Sequence, residues 1–261
     1  MKNKLIVVAF FFSTFLPKFS FGWGIAGHHM IAEIAYLLLS EPAKQKLNRY
    51  LSGTSIQDAS TWMDEQKRNP AYQYLSDRHF INIEKGQLFS DPVGKNNIYS
   101  QLTEVMAELE NISTLSAEKA KYDLEILIHL TGDLHQPLHV AFGEDKGGNT
   151  VNTIVGNKKM NLHVAYDMGI IELKNISTGN IIPQFAKLSA DQKLEIEKGN
   201  LSDWINETRS QLPFVYGFEN SILNQEYLNK AQPLIENQIL KAGIRLSYIL
   251  EKYMGKANPI K

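Results

Sequence analysis

The chain has 261 residues of ordinary apolar content, 28 acidic side chains against 27 lysines and arginines, and no cysteine. That excludes a disulfide-stapled scaffold and a polybasic nucleic-acid binder, and leaves enough chain for one sizeable core or two small ones. Any polyanion would have to be held by a local positive site.

Residues 1–22 are set apart. Lys2 and Lys4 precede LIVVAFFFSTFL, and Ser20-Phe21-Gly22 is a small-x-small cleavage pattern, so the stretch is predicted to be a secretory signal peptide rather than a membrane span. The mature domain is then 23–261, beginning at Trp23. Its formal charge moves from −1 to −4, because three lysines and no acids leave with the signal. No later stretch is long and apolar enough for a bilayer. The expected product is exported to periplasm or medium, and without disulfides its stability rests first on its core. Four Asn-x-Ser/Thr sequons, at Asn111, Asn175, Asn200 and Asn206, matter only in a glycosylating host.

Beyond the signal, IAEIAYLLL (31–39) reads as an apolar helix. Ser40 and Pro42 start a second, running to about Leu51, and another begins near Ile56 and carries Trp62 and Asp64. The region 69–76 reads as a turn or short helix, 79–83 as a short extended piece, and 86–97 as loop. Helices follow over 98–110 and 117–136. Residues 143–159 read as loop with a small hairpin, 162–173 as helix. Two long helical patterns, 189–212 and 224–253, close the chain, with Pro233 breaking or beginning a helix within the second. Few strand patterns and no repeat or linker indicate an all-α fold, a mainly helical single domain with at most a small hairpin.

The chemistry concentrates in HLTGDLHQPLH, which holds His129, Asp133, His135 and His139 within eleven residues. His129 and Asp133 are spaced i, i+4 and share a helical face. Pro137 ends that helix, so His139 folds back beyond it. NLHVAYD repeats the spacing with His163 and Asp167. Paired His and Asp without Cys suit zinc in a catalytic setting. Once freed, the Trp23 amine and carbonyl could chelate a metal near His28, since an α-amine loses its proton at modest cost.

WGIAGH (23–28), TWMDE (61–65), RHF (78–80), HLTGDLHQPLH (129–139), GGN (147–149) and NLHVAYD (161–167), in that order, resemble the S1/P1 family of secreted zinc nucleases. The resemblance runs from Trp23 to about Asp167. It implies a nine-ligand site for three Zn2+. One ion would take Asp64, His79, His129 and Asp133, and a second would take Trp23, His28 and the shared Asp133. The third would take His139, His163 and Asp167. Three zinc ions against three carboxylates make a cationic pocket in an acidic protein.

It further implies a phospholipase C/P1 nuclease-like fold and hydrolysis of single-stranded DNA and RNA to 5′-phosphorylated products. Removal of phosphate from 3′-nucleotides is also implied, with water held between metals as the nucleophile. Asp64 would orient or deprotonate that water and Lys67 would lie near the scissile phosphate. Phe80 would stack on a base and Asn149 would contact substrate. Asn82 stands where well-known members carry a base-contacting acid, a departure that leaves base preference open, and the disulfides of fungal members have no counterpart here.

Simpler readings stand beside these. Lys67 could be a solvated neighbour of Arg68, and Phe80 could be core. His29 suits an ordinary polar role and His135 a surface or site-rim position, while Trp62 and Trp204 suit packing. A zinc phospholipase C is the enzyme alternative, against which stand the short gap from Trp23 to His28 and the presence of Asp167 where that family has Glu. A zinc-sequestering protein is the non-enzymatic one. No feature implies a stable protein partner, and a monomer is expected.

Overall fold

The protein is seen in a computed structural model that describes residues 22–90 and 94–255. The predicted leader lies outside the described residues except for Gly22.

The first helix, α1 (Gly24–Leu38), starts directly after Trp23. Ser40 accepts from the Ala43 amide to cap α2 (Glu41–Tyr50), with Pro42 in the first turn as its fixed φ favours. Ser55 caps α3 (Ile56–Glu65) in the same way. Two 3-10 helices follow, Gln66–Arg68 and Pro70–His79, so of the turn or short helix expected at 69–76 the helix is present, extended to deliver His79. Phe80 is extended, and the amides of Ile81 and Ile83 donate to the carbonyls of His139 and Ala141. Helix α4 (Ile98–Leu109) opens with a capping box from Asn97 and Ser100.

Helix α5 (Ala117–Leu134) is the axis of the molecule. Every residue from Asp123 to Leu134 is buried, as expected of a helix covered on all sides. α1, α3, α4 and the last helix, α12 (Gln225–Met254), all pack against it. α12 also lies along α1, and a Cβ at Gly243 would stand 2.5 Å from the Ile34 side chain, so only glycine permits so close a crossing. One connected apolar core runs from Trp23 to Met254.

Between these helices lie a 3-10 turn (Pro137–Val140) and the hairpin of β1 (Asn152–Val155) and β2 (Lys158–Asn161), to which β3 (Ile222–Leu223) adds a parallel strand in the order β2-β1-β3. The stretch after β2 is helical as read. It comprises α6 (Leu162–Val164), a π-helical turn (Ala165–Gly169) and α7 (Ile170–Lys174).

Three features differ from the pattern reading. Helix α8 (Thr178–Lys187), with Pro183 inside it, had no assigned pattern. The segment 189–212 is two helices, α9 (Ala190–Glu197) and α10 (Leu201–Arg209), because Gly199 takes φ +89° and Asn200 caps a new start; α11 (Leu212–Val215) follows. Pro233 neither breaks nor begins a helix. α12 is continuous through it, buried Ala231 and Ile235 flanking the one lost backbone hydrogen bond.

His135 also corrects the sequence reading, since it is fully buried rather than at the surface or the site rim. It caps α5, where its Nδ1–H donates to the Thr131 carbonyl at 2.7 Å and its Nε2 accepts from Arg245 at 2.9 Å. Arg245 stacks on Trp204, 4.8 Å from the ring centre, and pairs with Glu207. His135 therefore joins α5 to α10 and α12. Burial, then the Arg245 charge, pushes its pKa down to about 3. The folded chain takes no proton there until far below neutrality, whereas the unfolded chain takes one near pH 6.5. Stability from this site is thus lost as pH falls through about 6.5 toward about 3. Between pH 7 and pH 5 the loss is about 2 kcal/mol. In urea unfolding, His135→Asn should be less stable than wild type at pH 7, with the gap narrowing by about that amount at pH 5. A gap unchanged between the two pH values would contradict a neutral His135.

Candidate metal centre

Four structural elements converge on Asp133. α5 supplies His129 and Asp133 one turn apart, both fully buried. α1 supplies His28, whose ring stacks on His129 at 4.1 Å between centroids. Gly132 lets α1 approach, since a Cβ there would lie 3.0 Å from His28 Nδ1. The 3-10 segment ending at His79 and the turn after Pro137 bring His79 and His139. Asp133 Oδ1 is 3.2 Å from His28 Nε2, and Oδ2 is 3.1 Å from both His79 Nδ1 and His129 Nε2 and 3.7 Å from His139 Nδ1. Asp64, from α3, places Oδ1 3.7 Å from His79 and 3.8 Å from His129.

The nearby Asp167 stands 3.5 Å from His163 Nε2, which is itself 3.1 Å from His139 Nε2. Three buried groups thus have donor atoms within 4.8 Å of one another and could each hold a metal ion: His28, Asp64 and His129; His79, His129 and Asp133; His139, His163 and Asp167. The third is the trio that the resemblance implies. The second falls within the set implied for the first ion, whereas the first joins His28, expected beside Trp23, to Asp64 and His129, so that His129 belongs to both.

Trp23 is fully buried and its indole donates to the Gly132 carbonyl at 2.9 Å. A Cβ built on Gly22 would stand 1.8 Å from Asp133 Oδ1 and 2.7 Å from His28 Nε2. The peptide leading into Trp23 is therefore against the two residues with which its amine was expected to share an ion.

The donor set fits metal. His139 Nδ1 donates to the His79 carbonyl at 2.8 Å and His163 Nδ1 to the Gly147 carbonyl at 2.6 Å. Their Nε2 atoms then face each other with lone pairs, an arrangement that needs a positive charge between them. A lone proton would serve the two nitrogens, but a metal ion would serve them and the Asp167 carboxylate together. His129 Nδ1 is committed in the same way to the Ser60 carbonyl at 2.7 Å. His28 Nε2, His79 Nε2 and Asp133 Oδ1 are buried without a hydrogen-bond partner, a costly state that cation binding relieves.

Protonation agrees with this at three of the imidazoles, whereas the Asp133 and Asp64 carboxylates raise His129 against its burial. Burial, then Lys67, pushes His79 down to about 3, and burial, then His139, does the same to His163; His28 is lowered by burial and then by His129. These imidazoles are neutral near pH 7 and keep lone pairs for a ligand role. Burial alone would raise both carboxyls. His139 and His129 instead hold Asp133 well below the usual range, and His129 and Lys67 lower Asp64.

A cleft of about 340 Å3 opens above the centre, lined by Lys67, Phe80, Asn82, Lys146 and Asn149 among others. Every residue expected to touch substrate is there. Lys67 Nζ is 2.5 Å from Asp64 Oδ1, so it is an ion-pair partner rather than a solvated side chain. Phe80 is half-buried and faces the cleft, which sets aside its reading as core. Asn149 is tied to the Lys146 carbonyl at 2.8 Å.

The sequence reading missed the groups that aim the side chains of the cluster. Three are backbone carbonyls, of Ser60, His79 and Gly147, which residue identity does not reveal. The fourth is Gln136, which donates to Asp167 Oδ1 at 2.6 Å and whose position inside HQPLH could have signalled it. Gly147 has a legible cause as well. At φ +61°, with a Cβ that would fall 2.4 Å from the Leu138 carbonyl, it must be glycine to turn its own carbonyl toward His163.

Comparison with known proteins agrees with this arrangement. The S1/P1 Nuclease family model matches residues 23–255. Over 90% of its length the chain is 25% identical to Endonuclease 2 of Arabidopsis thaliana, covering 91% of that protein. It is also 25% identical to Nuclease S1 of Aspergillus oryzae, covering 90% of this chain and 93% of the relative. With Nuclease P1 of Penicillium citrinum the identity is 22%, over 89% of this chain and 98% of the other. A match spanning every element that meets at Asp133 leaves one assignment: the chain belongs to the S1/P1 nuclease family.

Proposed function

We propose that this chain is a zinc-dependent nuclease that hydrolyses phosphodiester bonds of single-stranded DNA and RNA to 5′-phosphorylated products and also removes the phosphate of 3′-nucleotides. The observation that carries the reading is the set of three buried His/Asp groups beneath a cleft that combines a lysine, an aromatic ring and amide side chains. Family membership supports the same reaction class.

Three zinc ions would be held by Trp23, His28, Asp64, His79, His129, Asp133, His139, His163 and Asp167. When bound, zinc supplies Lewis acidity that lowers the pKa of water and offsets phosphate charge. The remaining work falls to the chain. Asp64, ionised at neutral pH, orients the attacking water and accepts its proton. Lys67 is anchored on Asp64 and presents its ammonium to the scissile phosphate. Phe80 stacks on a base, a contact worth about 1–3 kcal/mol with little sequence preference. Asn149 donates to the substrate backbone and Asn82 meets the base edge. The ligand role of Trp23 requires a free amine, so activity follows removal of residues 1–22 during export to periplasm or medium, and the product works as a monomer.

Two outcomes test this. Zinc-loaded protein beginning at Trp23 should cleave single-stranded oligonucleotides and leave phosphatidylcholine intact; cleavage of the lipid, or of neither substrate, would contradict the reading. Asp133→Ala should lose more than one equivalent of zinc by elemental analysis, because its two oxygens face different imidazoles. Loss of a single equivalent would refute a bridging Asp133.

A further inference from the structure

A second cleft, of about 540 Å3, adjoins the one above the centre. Asn149 lines both, and its Oδ1 accepts from Asn161 Nδ2 at 3.4 Å across the junction. The floor of the second cleft is one face of the hairpin. Asn152 pairs with Asn161 and Ile154 with Lys159, so these four side chains project from the same side of β1 and β2. Ser221 closes one edge.

Charge separates these two clefts from two others among the described residues. Neither lining contains a carboxylate, whereas a third cleft is lined by Glu195, Asp203 and Glu207, and a fourth by Glu144 and Asp145. The continuous pair carries Lys67, Lys146 and Lys159. Lys159 is exposed and makes no ion pair among the described residues, while the adjacent Lys158, on the opposite face, is paired with Glu172 at 3.3 Å. A carboxylate-free path of amides, hydroxyls, the apolar side chains of Ile154 and Met160 and an unpaired ammonium, continuous with the cleft above the metal centre, suits the backbone of a single strand.

We propose that the exposed face of the hairpin (Asn152, Ile154, Lys159 and Asn161) is a track for the nucleotides of a single-stranded substrate next to those held over the metal centre, with Lys159 contacting a phosphate. The proposal rests on the nuclease reading and specifies how that site takes polynucleotide rather than only short substrates.

The test measures kcat/KM against salt concentration for an eight-residue oligothymidylate and for dithymidylate, using zinc-loaded wild type, Lys159→Gln and Lys158→Gln. Each phosphate contact to a single strand contributes about 0.7 to the slope of log affinity against log salt. On the octamer, Lys159→Gln should lower the slope by about that amount, chiefly through KM, while Lys158→Gln should keep the wild-type slope. The dinucleotide, too short to reach the hairpin, should show no change in slope. Equal slopes for the three proteins on the octamer would overturn the track, as would an equal loss on the dinucleotide. If wild type cleaves neither substrate, the nuclease reading itself fails and takes the track with it.

Discussion

Asp133 is fully buried, and four imidazoles from three parts of the chain surround its two oxygens. A carboxylate in that position is costly unless positive charge is gathered around it. Much of the fold follows from meeting that requirement. α5 is covered on all sides so that its polar turn can lie at the centre. α1 begins immediately after Trp23, so His28 arrives one turn into it. The chain after Pro137 doubles back, and the extended piece at Phe80 runs beside it through two backbone hydrogen bonds, which keeps His79 and His139 on the same side.

Imidazoles gathered around carboxylates do not by themselves make a metal centre; they must also present lone pairs. Here the backbone decides. The carbonyls of Ser60, His79 and Gly147 each take one ring N–H, which turns the other nitrogen inward. The His79 carbonyl couples two regions, since His79 enters the cluster by its ring while its carbonyl orients His139. The GGN loop serves two purposes in the same way, with Gly147 aiming His163 and Asn149 standing where the two clefts meet. Substitution in such a loop would disturb the aim of His163 and the junction of the two clefts together.

Much of this was legible in the sequence, for physical reasons. The i, i+4 spacings of His129 with Asp133 and of His163 with Asp167 read directly as shared helical faces, and Pro137 announced the reversal that returns His139. The cap at Ser40 is local chemistry and equally legible, whereas the caps at Ser55 and Ser116 are seen only in the structure. What escaped depends on contacts distant in sequence. His135 sits in the same run as the cluster residues, yet its partner is Arg245 on α12, 110 positions away, and nothing in the run marks it as buried. Helical periodicity on both sides of Gly199 hides the break there, and Pro233 does not interrupt α12 because packing along its whole length holds the helix. The carboxylate-free hairpin face emerged only when strand register placed Asn152, Ile154, Lys159 and Asn161 together.

If the buried His and Asp cluster is the multinuclear zinc centre proposed above, anomalous diffraction at the zinc edge from crystals of the chain beginning at Trp23 should show it. Three peaks are expected, two flanking Asp133 and one among His139, His163 and Asp167. An occupied lattice with no peak there, or with zinc bound only at surface side chains, would contradict it.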